Sequence, residues 1–575
     1  KFDNQGANSN DSRKTIVLPN AKKKKRKKKK QNSKLPSSDL TQVMDFYEAR
    51  DGLDHDSWSL DSSVPSSTEL TTLQSFYYKT HIFITGGSGF IGKVLIEKLL
   101  RSCEVEKIYI LLRTKKGKSP TERLKDQFND DLFIRLKLLR PNFLDKIQLI
   151  PGDIEQPNIG LSEEDYQFLI DHVNIVIHGA ATLSMDDPIG KAFKMNIRAT
   201  QCVLDMFEKM PNKKSFSYIS TAYAHAHRTQ INERFYPTTM DASELKSLVN
   251  SIGDYELACL SPVLTGAYSN SYSFSKALAE EVCRTYVNKG LPVTVVRPSI
   301  VVSTYREPLK NWINNVYGAT GVLFGASMGF LHVFFADPDA KADLIPVDLV
   351  ANAVLASMWE VSERSPSPTP VNHDQDSPNV YNLVSSPQNP VTWNDYKVYN
   401  ERAPEQFTIA SSKSIYYYSF GLTKNPFWFH TRVLLTHVLP AIFVDMLLRL
   451  KSKKPMMLKA HRKVTNFLKH FHMYAEKDWV YANQNVQRMW SKLSPEDQRL
   501  FLFNIDHLDW TWYYNHFIRG IQSYILNEKF DKEGDREKAT KHTARLLLVH
   551  RIIKYGGTSI LTFLLSYLVW WIFLS

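Results

Sequence analysis

Short apolar runs alternate with amphipathic stretches over the middle of the chain. His81 to Thr85 (HIFIT) is rich in strand formers, and Phe90 to Leu100 (FIGKVLIEKLL) repeats its apolar positions at helical spacing. Lys107 to Leu112 (KIYILL), Lys146 to Pro151, the run IVIHGAA ending at Ala181, and Tyr218 to Tyr223 (YISTAY) read as further strands. SYSFSKALAEEVCRTYV, from Ser271, reads as a helix. Residues 396–545 show helix-like periodicity with many aromatics, such as His507-Leu-Asp-Trp510-Thr-Trp512-Tyr513-Tyr514. Residues 1–74, rich in Ser, Asp, Asn and Lys, lack sustained periodicity and are expected to be disordered.

The glycines of Thr85-Gly86-Gly87-Ser88-Gly89-Phe90-Ile91-Gly92 fall between the first strand and the first helix. Gly86 can take a backbone angle closed to other residues, Gly89 lets a pyrophosphate approach the main chain, and Gly92 allows close helix–strand packing. Unpaired N–H groups at the helix start then face the anion. This turn predicts a dinucleotide site in an α/β fold, a Rossmann-type doubly wound parallel sheet.

Arg113, Lys115 and Lys116 follow the second strand, where NAD enzymes usually keep an acid for the ribose 2′-hydroxyl. A guanidinium there pairs with a 2′-phosphate, so NADPH is expected over NADH. Asp153 is expected to face the adenine. The cofactor-contacting set is read as Thr85, Gly86, Gly89, Phe90, Ile91, Gly92, Arg113, Asp153, Ala180, Lys276 and Pro298.

Tyr272 and Lys276 are four residues apart on a helix and share a face. A free phenol titrates near pKa ~10, and a neighbouring ammonium is expected to lower that value, making Tyr272 a proton donor. Upstream, hydroxyls end a strand where a substrate carbonyl oxygen could accept a hydrogen bond. Thr221 is favoured for that role, with Ser220 the close alternative.

The chain resembles the extended short-chain dehydrogenase/reductases and, within them, the alcohol-forming fatty acyl-CoA reductases. The resemblance runs from about Phe76 to the C-terminus, through FITGGSGFIGKVLIEKLLRS, IYILLRTKKGKSPTERL, YISTAYA, YSFSKALAE, VVRPSIV, ADLIPVD and a helical region of the male-sterility kind. It implies reduction of an acyl thioester by NADPH, through an aldehyde, to a primary alcohol. By the same similarity Thr221 or Ser220, Tyr272 and Lys276 match catalytic positions, and Gly86, Gly89, Gly92 and Arg113 match cofactor positions. Lys276 would hold the nicotinamide ribose. The chain departs from the family pattern at His225-Ala-His227, Asn314 and Ala319, which bears on substrate preference. The insertion Arg228 to Tyr268 is expected to wall an acyl tunnel. Two other classes stay open: a hydroxysteroid dehydrogenase or sugar-nucleotide epimerase sharing Tyr272 and Lys276, and a non-catalytic NADP-binding membrane scaffold.

Charge and composition add a location. Lys22 to Lys30 (KKKKRKKKK) supplies nine cations of a formal net charge of +13. Without interleaved aromatics no nucleic-acid partner is expected, and the run is read as a solvated tail or, given a membrane segment elsewhere, as attraction to anionic lipid. Gly556 to Ser575 is twenty residues without a charge, long enough as a helix to cross a bilayer. The expected organisation is therefore a disordered segment (1–74), an NADP-binding reductase domain with an acyl-CoA site (75–395), a helical domain (396–545) and a transmembrane tail anchor (556–575). The catalytic part would face the cytosol, at the endoplasmic reticulum or the peroxisome. Trp428 to Leu450, interrupted by Arg432, His437, Pro440 and Asp445, reads as too broken for a second span, and as either an interfacial helix pair or core packing. The four cysteines are scattered without metal-ligand spacing, so a reducing compartment and no metal are expected.

Overall fold

The computed structural model describes residues 70–364, 370–402, 411–528 and 533–574. Of the segment 1–74 expected to be disordered, residues 1–69, with Lys22–Lys30, lie outside these, as does the Pro- and Ser-rich stretch 365–369. The last residues of that segment are ordered instead, because helix Thr72–Tyr77 buries Leu73 and Gln74.

Seven parallel strands form the central sheet: β1 (His81–Thr85), β2 (Lys107–Leu112), β3 (Ile147–Pro151), β4 (Ile175–His178), β5 (Ser215–Ile219), β6 (Val293–Pro298) and β7 (Val380–Leu383). Their order is β7-β6-β5-β4-β1-β2-β3. The sheet is buried on both faces because successive side chains alternate between two apolar layers. Ile82, Ile84, Ile108 and Ile110 enter one layer, while Phe83, Tyr109 and Leu111 enter the other.

The chain winds outward in both directions from β1, which pairs with β2 on one side and β4 on the other. That reversal opens a crevice beyond the carboxyl ends of the strands, where Thr85 lies in register with His178. Helix α1 (Phe90–Ser102) leaves β1 through the glycine turn. Helix α2 (Ser271–Asn288) brings Tyr272 and Lys276 to the same end of the sheet.

The C-terminal half closes around this frame. The backbone N–H of Leu73 donates to Asp497 at 3.3 Å, and Val480–Tyr481 pairs in parallel with Gln230–Ile231. Helix α3 (Pro426–Leu450) is continuous where the sequence reads as broken. Pro440 falls in the first turn of its last segment, after a π-type turn at Leu434–Val438, and the widened turn accommodates the ring. Core packing does not describe it, since Leu435, Phe443 and Leu450 are 57%, 56% and 75% exposed. Helix α4 (Met457–Phe471) turns back beside it, and helix α5 (Glu533–Leu574) runs for 42 residues into the charge-free C-terminal stretch.

Candidate functional site

The glycine turn fits a dinucleotide for reasons visible in its backbone. Gly86 has φ +79°, and a Cβ there would lie 2.7 Å from the Ala180 nitrogen. At Gly92 a Cβ would come within 2.3 Å of the Gly86 oxygen, so the helix can approach the strand only without a side chain. Gly89 caps α1 with no side-chain hydrogen bond, which leaves the N–H groups of the first turn for an anion.

A buried hydrogen-bond chain holds the turn against β4. Thr200 Oγ1 donates to the Asn196 oxygen at 2.6 Å and accepts from His178 Nε2 at 3.1 Å. His178 Nδ1 therefore accepts from Thr85 Oγ1 at 2.7 Å. Thr85 in turn accepts from the Ala180 N–H at 3.2 Å. Burial, helped by nearby Lys276, pushes the His178 imidazolium down to about 3, so the ring stays neutral in this role.

Three cations converge at one end of the cleft. Arg113 is half-exposed and bound by Asp153 at 3.0 Å, with Glu155 at 3.6 Å. Lys115 also lines the cleft, whereas Lys116 occupies a left-handed position (φ +53°) in the turn beyond it and does not. The third cation, Arg123, was not singled out in the sequence. It donates to the Arg113 oxygen at 2.6 Å and to Ser88 Oγ at 2.8 Å, tying the basic strand end to the glycine turn. Burial, and then the neighbouring Arg113 and Arg123, lower the Lys115 ammonium.

At the opposite end of the cleft lie the hydroxyls, Tyr272 and Lys276. Ser220 and Thr221 both line it, but their hydroxyls differ in partner. Ser220 Oγ donates to Glu280, while Thr221 Oγ1 accepts from the Tyr223 N–H at 3.2 Å and its hydroxyl favours the ionised Tyr272 phenol. Lys276 Nζ donates to the Ile219 oxygen at 2.7 Å and lies 4.7 Å from the centre of the Tyr218 ring. Burial lowers its ammonium to about 8, against the pull of Glu280.

The phenol departs from expectation. Burial pushes Tyr272 up, Tyr474 adds to that, and the Thr221 hydrogen bond opposes it. The ammonium, directed to a main-chain carbonyl, does not bring the phenol below its ordinary value. A proton donor to an alkoxide needs no such lowering, because an alkoxide is a stronger base than a phenolate.

Behind these groups sits a buried cluster that sequence reasoning missed. Glu280 accepts from Arg297 at 2.6 Å and from His225 at 3.0 Å, as well as from Ser220. Burial opposes its charge, but Arg297 and His225 outweigh that and hold the carboxyl down at about 2. One signal was available, since Tyr272, Lys276 and Glu280 repeat at four-residue spacing on one face of α2.

Thr85, Gly86, Gly89, Phe90, Ile91, Gly92, Arg113, Asp153, Ala180, Ser220, Thr221, Tyr272, Lys276 and Pro298 all border one cavity of about 390 Å³. Its remaining wall includes Ser299, Val301, Asn315 and Tyr317. The insertion Arg228 to Tyr268 does not line this cavity. Its helix Asp254–Thr265 leans instead on Gly190, where the added Cβ would touch Leu257 at 3.0 Å. Phe90 stacks on Trp312 with 5.5 Å between ring centres, which fixes the start of α1 against the loop carrying Asn315 and Tyr317.

A family described as male sterility protein matches residues 84–354, and a second of that description matches 436–528. Among solved structures, the terminal R domain of the myxalamid biosynthetic pathway superposes with a TM-score of 0.51 at 20% identity, covering 85% of this chain and 99% of that one. The reductase domain of a nonribosomal peptide synthetase from Mycobacterium tuberculosis gives 0.51 at 16% identity, covering 82% and 97%. At such identities these two show the fold. Fatty acyl-CoA reductase wat of Drosophila melanogaster is 36% identical over 83% of this chain and 90% of its own length. Human fatty acyl-CoA reductase 1 is 33% identical over 88% and 94%. With its nicotinamide-dinucleotide turn, parallel sheet and near full-length kinship, the chain belongs to the fatty acyl-CoA reductase family.

Proposed function

We propose that the protein reduces fatty acyl-CoA to a primary alcohol and free CoA, with NADPH as the reductant. The observation that carries this reading is the single cleft in which a dinucleotide turn, three cations and the pair Thr221–Tyr272 meet. Gly86, Gly89 and Gly92 would cradle the pyrophosphate, Arg113, Lys115 and Arg123 the 2′-phosphate, and Lys276 the nicotinamide ribose. The bound coenzyme would supply a hydride for each of two reductions.

The Thr221 hydroxyl and Tyr272 phenol stabilise the oxyanion that develops on the thioester carbonyl, and the CoA thiolate leaves. At the aldehyde stage the same two groups hold the carbonyl oxygen, and Tyr272 protonates the alkoxide. Lys276 and the Glu280–Arg297–His225 cluster hold α2 and the Ser220–Thr221 strand end in place. The charge-free stretch 556–575 is read as a bilayer-spanning anchor, with the reductase on the cytosolic side of the endoplasmic reticulum or peroxisome.

The test is product analysis of purified protein given acyl-CoAs of graded length with NADPH or NADH. Alcohol formed with two NADPH consumed per acyl-CoA supports the reading. Turnover of a steroid or a sugar nucleotide, and none of acyl-CoA, overturns it.

A further inference from the structure

Helix α3 is long and apolar enough to cross a membrane, with 25 residues from Pro426 to Leu450, yet one of its faces belongs to the protein. The polar side chains on that face are buried and used. His437 Nε2 accepts from the His332 N–H at 2.8 Å. Asp445 accepts from the N–H groups of Met456 and Met457 at 2.8 Å and of Leu458 at 3.0 Å, capping α4 from outside the helix. The other face shows Trp428, Leu435, Leu439, Phe443, Met446 and Leu450, all at least 47% exposed. A spanning helix would have to strip the His437 and Asp445 contacts to meet lipid on all sides, and burying those groups unpaired is costly.

We propose that α3 lies in the plane of the bilayer interface, its outer face sunk among the acyl chains, as a docking surface additional to the proposed anchor. Two features name the lipid surface as occupant. Arg449, Lys451, Lys453 and Lys454 are exposed at the end of α3, placed to meet anionic headgroups and set against a second copy of the chain. The proposed anchor also leaves the protein beside α3. His550 on α5 pairs with the Tyr416 hydroxyl at 3.1 Å, and the Tyr416 ring packs at 5.2 Å on His332, the residue bonded to His437. The two apolar elements are thereby linked through Tyr416 and His332.

The surface connects to the cleft through α4. Asp445 caps the start of that helix, and its far end delivers Phe471 and Tyr474. Phe471 packs 3.5 Å from the Cβ position of Gly318, next to the cavity residue Tyr317. Tyr474 acts on the Tyr272 phenol. On the reading given above, docking would turn the acyl entrance toward the lipid that holds long chains.

The experiment uses the full chain with the exposed Cys259→Ser and an environment-sensitive fluorophore on Phe443→Cys, Tyr255→Cys or Tyr567→Cys, one at a time. Each is reconstituted in phosphatidylcholine–phosphatidylserine vesicles carrying spin labels at shallow or deep acyl positions. The Phe443 probe is expected to lose most of its fluorescence to shallow labels and little to deep ones, and the Tyr255 probe little to either. A Phe443 probe quenched like Tyr255 overturns the inference, and so does deep quenching equal to that at Tyr567, which would mean a span. Energy transfer between Phe443 probes without lipid quenching would assign the face to a second copy and also overturn it. Loss of quenching at Tyr567 alone would instead overturn the anchor and leave this inference standing.

Discussion

Lys276 donates its ammonium to the main-chain oxygen of Ile219 at 2.7 Å, one helical turn from Tyr272. The charge is fixed at the end of β5, beside the strand end that carries Thr221. Burial brings it down to about 8. It is a cation below that value and neutral above it.

The pH profile of kcat/KM, which reports the free enzyme, should therefore hold level below about pH 8 and fall above it. Lys276→Arg keeps a cation at all accessible pH, so that variant should lack the alkaline limb whatever its absolute rate. An unchanged limb would show that another group titrates.

Thr221 and Ser220 are separated by their partners, Tyr272 and Glu280. Thr221→Val should lower kcat by roughly 10²–10³, the usual loss of one oxyanion donor. Tyr272→Phe should lower it by about 10²–10⁴, the range for a general acid. Ser220→Ala should leave most turnover and lower the melting temperature. Steady-state rates and thermal unfolding read out all three.

Arg113 and Arg123 form one basic corner through the bond from Arg123 to the Arg113 oxygen. Replacing either by Ala removes charged hydrogen bonds of about 1.5–3 kcal/mol, so KM for NADPH should rise roughly 10- to 150-fold. KM for NADH, which lacks the 2′-phosphate, should scarcely change.

Glu280 is held at about 2 rather than 4.5, so its charge stabilises the fold at any pH above its unfolded value. That contribution disappears as pH falls from about 4.5 through about 2. Glu280→Gln leaves Arg297 buried without its counter-charge and should cost about 3–5 kcal/mol near neutral pH. The gap between wild type and variant should narrow on acidification, measured by denaturant unfolding at stepped pH. A constant gap would mean that the pair is not the source of the stability.

Much of the reductase frame was legible along the chain because local physics fixes it. HIFIT, the glycine turn and FIGKVLIEKLL carry their own dihedral and packing demands, and β1 and α1 begin where those demands change. The four-residue spacing of Tyr272 and Lys276 needs only a helix to bring both to one face. Family resemblance supplied the chemistry for which spacing alone leaves several enzymes open.

The rest depended on residues far apart in sequence. Arg123 joins the cofactor corner only when its helix packs beside β2, and Glu280 meets Arg297 and His225 only across the sheet. The phenol of Tyr272 sits high because tertiary packing buries it, and Tyr474, two hundred residues on, adds a like-charge contribution. Trp428–Leu450 has the same apolar pattern whether it lies in a core, in an interface or across a bilayer. Periodicity reports which side chains share a face, and only the contacts of His437 and Asp445 reveal which face the protein covers.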